Sequence, residues 1–306
     1  WIIAAGFVAL FQYIIQIMLV ILQSTKKAFS YSIVRFFQAS LDASLSLILV
    51  LFFLLSWEGR LFGISIAWMV VAIFSILFLI RNKWINFKIE SSHTLDILYF
   101  GVPLIPHAIG GIIIGMIDRV LVANILDVNS VGIYMVAVQV GLILGMAADS
   151  FNKAFAPWFM DTLSNVSHEK KIKLVRFSYL YFVLILLIAF LGSKSAGLII
   201  YLLVGDLFYD AIPLLKYILF GNAFLGMYYI VTNYIFYTRK TGYLSILTIS
   251  VGIITICLSY YLLNTEGIVG AAKAFMYGQL LMFLGTWLMS AYFYKMPWIS
   301  AIIKIK

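Results

Sequence analysis

Residues 128–148 read VNSVGIYMVAVQVGLILGMAA, twenty-one positions without a charge. At 1.5 Å rise per residue, a helix over this run covers the roughly 30 Å hydrocarbon core of a bilayer. Similar uncharged runs recur at 1–25, 61–80, 97–117, 177–193, 217–238, 241–265 and 274–294. Hydrophobic residues make up 64% of the chain and charged residues 11%, with a mean hydropathy of +1.07. A water-soluble domain of 306 residues needs a far more charged shell. No water reaches the bilayer core to satisfy open backbone, so runs of this kind must be helices. The expected fold class is all-α: a polytopic membrane protein of about nine transmembrane helices. The spans are placed at 1–24, 29–56, 61–81, 97–126, 130–158, 174–192, 210–237, 242–263 and 267–293. The second is the least clean, because it carries Arg35 and Asp42. Residues 195–206 (SAGLIIYLLVGD) are too short to cross; they predict an interfacial helix or the outer end of the sixth span.

The net charge of +9 does not form one patch, which argues against nucleic-acid binding. Lys26 and Lys27 follow the first span, and Arg81, Lys83 and Lys88 the third. Lys170, Lys171, Lys173 and Arg176 follow the fifth, Arg239 and Lys240 the seventh, and Lys295, Lys304 and Lys306 the ninth. The alternate loops (Trp57-Glu58-Gly59-Arg60, Asp127-Val128-Asn129, the stretch around Lys194, and Asn264-Thr265-Glu266) are poor in basic residues. The bias puts the lysine-rich loops and the C-terminus in the cytoplasm. The lone cysteine, Cys257, supports no disulfide framework and no Cys-based metal site; it reads as a packing residue. The chain starts at Trp1 and enters a hydrophobic run at once, without a basic signal-peptide region, which reads as a fragment of a longer chain.

The chain also resembles itself. Thr25-Lys26-Lys27 matches Thr238-Arg239-Lys240, and Trp57-Glu58-Gly59 with Gly63 matches Thr265-Glu266-Gly267 with Gly270. The first three spans therefore read as a parallel copy of the last three. Spans four to six have no upstream counterpart, so roughly 110 residues, three helices, are expected to precede Trp1 in a complete protein of two six-helix lobes. The domains follow: 1–90, a truncated N-terminal lobe of three helices, and 91–306, a C-terminal lobe of six.

Gly101-Val-Pro103-Leu-Ile-Pro106-His107, Met116-Ile-Asp118-Arg119-Val-Leu and Asp127-Val-Asn-Ser-Val-Gly132-Ile-Tyr134 together resemble the seventh and eighth helices of the Wzx-type polysaccharide flippases. These transporters of O-antigen and capsule units are a branch of the multidrug/oligosaccharidyl-lipid/polysaccharide exporter superfamily. Glu266-Gly267-Ile-Val-Gly270-Ala271-Ala272 is similar to the start of their twelfth helix. The resemblance covers the chain as helices four to twelve of a twelve-helix, two-lobe fold. It implies a V-shaped pair of lobes around a cavity, working by alternating access in the bacterial inner membrane. The implied cargo is an undecaprenyl-pyrophosphate-linked oligosaccharide, with a proton or sodium as coupling ion, no cofactor and no chemical bond made or broken. It also implies a monomer, able to associate with other polysaccharide-assembly proteins.

A pyrophosphate and a sugar crossing hydrocarbon need a sheltering set of cationic and hydrogen-bonding side chains. Arg35, Gln38, Asp42 and Ser46 fall on one face of the second span. Asp42 lies about 16 Å along the helix from Tyr31, near mid-membrane. This stripe reads as a cavity wall, with Arg35 on phosphate and Asp42 on the coupling ion, as a buried Arg35–Asp42 pair, or as contacts with the helices expected upstream. Asp118 and Arg119 are candidates for substrate contact or for structural pairing. Lys273 either contacts substrate or snorkels to headgroups. Asp149 and Lys153 suit a local salt bridge. Gln12, Gln16 and Gln23 share a face of the first span, and Asn222 and Asn233 a face of the seventh; they line a cavity or bond between helices. Gly111/Gly115 and Gly141/Gly145 have the spacing of close helix packing. His107 is expected to bond locally, and His93 and His168 to be solvated.

Rival readings are a lipid II flippase, a cation-coupled drug antiporter, a membrane scaffold, and a membrane polysaccharide polymerase or glycosyltransferase. The enzymes need an acid–base constellation on a sizeable loop, and the loops here are short.

Overall fold

The computed structural model describes residues 2–85, 91–164 and 167–301, with side chains from residue 5. Lys88, Lys304 and Lys306 lie outside the described residues. The described residues form α1 (Ile2–Ser24), α2 (Ala28–Leu51), α3 (Ser56–Arg81), α4 (Ser91–Gly101), α5 (Ile105–Ile125) and α6 (Val128–Ser164). These are followed by α7 (His168–Lys194), α8 (Ala196–Leu203), α9 (Ile212–Tyr237), α10 (Thr241–Glu266) and α11 (Ile268–Phe293). Three-residue and six-residue 3-10 turns precede α5 and α9. Among the described residues there is no strand, and nine helical segments are long and apolar enough to span a bilayer. The protein is a multi-pass, all-α membrane protein.

Boundaries differ where apolar residues make turns. The second connection falls at residues 52–55, all Phe and Leu, instead of at 57–60. Leu54 takes positive φ there (55°), as does Ser56 at the start of α3 (47°), so the chain reverses without glycine, proline, asparagine or aspartate. Arg60 thereby moves inside α3. The fourth span is broken at Val102–Leu104, because Pro103 has no N–H to continue the helix. Residues 195–206 supply the short α8.

The chain divides into two compact units, Trp1–Ser91 and Ser92–Lys306. In the first, α2 packs on α3 and α1 on both, around Ile15, Leu19, Val71 and Ala72. In the second, α9 is the hub, buried over most of its length and packed by α6, α7 and α11. Aromatic rings, including Phe159 against Tyr234 at 4.7 Å, fill the space around it.

The Thr25 and Thr238 repeat is reproduced in local geometry. Each threonine hydroxyl donates back to the preceding turn, on Ile21 O and Tyr234 O. Lys26 and Arg239 then both adopt φ 58°, and the next lysine N–H reaches five residues back, Lys27 to Leu22 O and Lys240 to Ile235 O. This is a Schellman-type helix end, with a cation in the left-handed position usually given to glycine. The cation at that position also complements the helix C-terminal dipole. The second match holds at only one residue. Gly63 and Gly270 both lie in close crossings, where a Cβ would come within 2.6 Å of Ser46 and 2.0 Å of Leu262 O. Glu58-Gly59 lies inside α3, whereas Glu266-Gly267 forms the α10–α11 turn, with Gly267 at φ 63°.

Beyond α11 the chain turns back. Trp298 and Ala301 are buried; Tyr179 donates to Trp298 O at 3.1 Å and Arg176 Nε to Ala301 O at 3.1 Å. Part of the positive charge after the fifth span therefore anchors the C-terminal segment.

Candidate functional site

In the first unit the α2 stripe forms two separate polar cells. Arg35 donates to Gln38 Oε1 (3.3 Å) and to Gln16 Oε1 on α1 (3.4 Å). Asp42 accepts from Ser46 (3.3 Å) and from Arg60 Nη1 on α3 (2.7 Å). The same Nη1 reaches Ser46 Oγ at 2.7 Å. The anticipated Arg35–Asp42 pair is not among these contacts. Seven residues separate the two by about 10 Å along the axis, and each finds a nearer partner. Gln38 and Ser46 are buried, while Asp42 and Arg60 keep 24% and 51% of their side-chain surface exposed. A guanidinium has five N–H donors; Arg35 spends two and Arg60 one nitrogen, so both retain donors for further oxygens.

In the second unit, Asp118 is 5% exposed. Tyr134 donates its hydroxyl to Asp118 Oδ2, and the Arg119 N–H donates to Oδ1 at 2.8 Å. Both oxygens are engaged, so Asp118 ties α5 to α6. The Arg119 guanidinium turns back to Gly115 O and reaches Met135 Sδ at 3.0 Å. Lys273 donates to Glu266 Oε2 and lies 5.5 Å from the Tyr217 ring centroid. Asp149 and Lys153 form the local i,i+4 bridge.

His107 does not bond locally. Its Nδ1 meets Thr248 Oγ1 on α10, and its Nε2 lies 3.1 Å from the Tyr228 hydroxyl on α9. Thr248 already donates to Leu244 O at 2.8 Å. Nδ1 therefore donates to Thr248, and Nε2 shares a hydrogen with the Tyr228 hydroxyl. The imidazole thus joins three helices. Its proximity to Pro106 was the available signal, but nothing local names partners more than 100 residues away.

Asn222 and Asn233 are buried in helix packing. Asn222 donates to Ile218 O at 2.9 Å, and Asn233 donates to Asn152 on α6 at 2.8 Å. Gly141 and Gly145 make room for α9: a Cβ on Gly145 would lie 2.4 Å from Asn222 Oδ1. Gly111 and Gly115 do not pack in this way, since a Cβ on either meets nothing within 4 Å.

Two comparisons give this geometry its class. A solved MATE transporter of Vibrio cholerae, VcmN, superposes with a TM-score of 0.72 over 95% of this chain and 67% of its own. At 15% identity, that likeness establishes a MATE-type fold. The family model described as polysaccharide biosynthesis protein matches residues 1–163, and the chain belongs to that family. It is 27% identical over 252 residues to the Lsg locus protein 1 of Haemophilus influenzae, covering 79% of this chain and 61% of that one. An uncharacterized membrane protein of the same organism is 25% identical over 254 residues, covering 78% and 59%. The chain thus spans about three fifths of the length of these relatives.

Proposed function

We propose that the protein is part of an exporter that carries an undecaprenyl-pyrophosphate-linked oligosaccharide, an O-antigen, capsule or exopolysaccharide unit, across the bacterial inner membrane by alternating access. The carrying observation is the polar stripe of α2: Arg35, Gln38, Asp42 and Ser46, joined by Arg60, on a helix long enough to span. Ionisable groups at that depth are costly to keep in lipid and suit a wet, anion-receiving surface. Membership of the polysaccharide biosynthesis family supports a sugar-bearing cargo, and the MATE-type fold supports transport.

In this reading Arg35 and Gln38 receive the phosphate, and Asp42, released from Arg60, takes the coupling proton or sodium. Arg119 and Lys273 meet the sugar or the headgroups during the cycle, while Asp118 keeps α5 and α6 in register. The basic loops and the C-terminus face the cytoplasm. The protein makes and breaks no covalent bond. A cation-coupled drug antiporter shares the fold but has no need of the two cations, Arg35 on α2 and Arg60 on α3, along this stripe; a lipid II flippase does, and is separated by cargo.

The test is complementation of a deletion strain with Arg35→Ala and Asp42→Asn, reading surface polysaccharide and membrane abundance together. Each variant is expected to reach the membrane normally and to lose at least half of the surface polymer, with lipid-linked units accumulating inside. Full surface polymer in both variants removes α2 from the transport path.

A further inference from the structure

The α9–α10 connection sits at the edge of the hydrocarbon: α9 ends at Tyr237, α10 begins at Thr241, and Arg239-Lys240 stands between them. Beside it a pocket of about 420 Å³ opens, with Pro103 on one wall and Arg239, Lys240 and the first turn of α10 on the other. That size lies within the range of about 300–1,000 Å³ common for small-ligand sites. Its walls are held from several directions. Asp96 accepts from both Nη atoms of Arg239 at 2.7 Å, and the guanidinium lies 5.9 Å from the Phe100 ring centroid. Thr241 donates to Phe100 O at 3.1 Å, and Ser245 donates to Pro103 O, so the 3-10 break is laced to α10.

Arg239 is thereby aimed without being exhausted, since its Nε–H and one hydrogen on each Nη stay available. Among the described residues no carboxylate is paired with Lys240. Two cations against one carboxylate leave the groove with net positive charge. The rim is amphipathic: Tyr99 and Tyr243 are 78% and 54% exposed, as suits rings at a membrane surface. Ile246 continues the wall one turn further along α10.

We propose that this groove binds the phosphate of a membrane lipid, with Arg239 and Lys240 on the phosphate oxygens and the lipid chain lying along Tyr243 and Ile246. Charge-assisted bonds from a held guanidinium and an ammonium are the strong contacts available to phosphate. The apolar rim selects an amphiphile over a free ion. The shared chemistry is a lipid phosphate, from either a bilayer phospholipid or a polyprenyl pyrophosphate. The site does not rest on the exporter reading.

The experiment is native mass spectrometry of the purified, delipidated protein titrated separately with phosphatidylglycerol, farnesyl pyrophosphate, phosphatidylcholine and inorganic pyrophosphate. At least one anionic lipid is expected to bind about tenfold more tightly than phosphatidylcholine. Lys240→Gln should weaken it about tenfold, a change of about 1.4 kcal/mol, and Lys240→Glu should weaken it further, with the lipid-free melting temperature unchanged in both. Preference for phosphatidylglycerol identifies the bilayer as the source, and preference for farnesyl pyrophosphate the polyprenyl carrier. Inorganic pyrophosphate binding as tightly as either anionic lipid overturns the lipid assignment. Wild-type affinity in both Lys240 variants overturns the site, whatever export does.

Discussion

Tyr134→Phe removes one hydroxyl from between α5 and α6 and leaves Asp118 with a buried, unmatched oxygen. Neutral hydrogen bonds between helices in membranes average about 0.6 kcal/mol and reach about 1.7. A bond to a charged acceptor is worth about 1.5–3 kcal/mol. Asp118 is 5% exposed, so water does little to replace the lost donor. The membrane reference state finds partners of its own, which holds the expected cost to the lower end, about 1.5–2 kcal/mol. For a cooperative unit of this size that is a drop of about 3–8 °C in melting temperature. Asp118→Asn keeps an oxygen for Tyr134 to bond and removes the buried charge, so it should cost less than Tyr134→Phe. The double variant should cost less than the two singles combined, because they remove the same contact. The assay is thermal unfolding of the purified protein in detergent, with surface polysaccharide measured in the matching strains. If Tyr134→Phe melts like wild type while export is lost, the hydroxyl serves the substrate and the tie between α5 and α6 is the wrong account. Additive losses in the double variant would show that the two side chains do not act on each other.

Gly270→Ala would put a Cβ 2.0 Å from the Leu262 carbonyl oxygen, a backbone atom that cannot swing aside. Ordinary contact begins near 3.4 Å, so α10 and α11 must part by more than an ångström; the cost should exceed the usual 1–3 kcal/mol or so of overpacking and appear as lost membrane protein on an immunoblot. Gly111→Ala, with nothing within 4 Å, should express and melt like wild type. Trp298→Ala empties a site packed by Tyr179, Tyr234 and Trp287 and should cost about 3–5 kcal/mol, with faster proteolysis of the C-terminal segment. Asp42→Arg should abolish export; adding Arg60→Asp should restore part of it if the two act as a pair, and a double variant as inactive as the single one would argue against pairing.

Much of the architecture is legible in the sequence alone. The uncharged run at 128–148 and its counterparts mark helices because hydropathy is a property of contiguous residues, readable without knowing what they touch. Asp149–Lys153 was legible for the same reason: partners four apart on a helix meet whatever surrounds them. The 52–55 turn was not, since four apolar residues look like more span. Gly111/Gly115 and Gly141/Gly145 have identical spacing, yet only the second pair faces another helix closely.

Composition and order of residues by themselves determined that this chain lives in a membrane, how many times it can cross, and which stretches match the polysaccharide biosynthesis proteins. Tertiary structure alone decided which polar groups meet: Asp42 with Arg60, Asp118 with Tyr134, and His107 with Thr248 and Tyr228, the last two at separations of 141 and 121 residues. The reason is physical. Entering a bilayer depends on apolar surface summed over a local segment, whereas satisfying a buried donor depends on where separate helices dock.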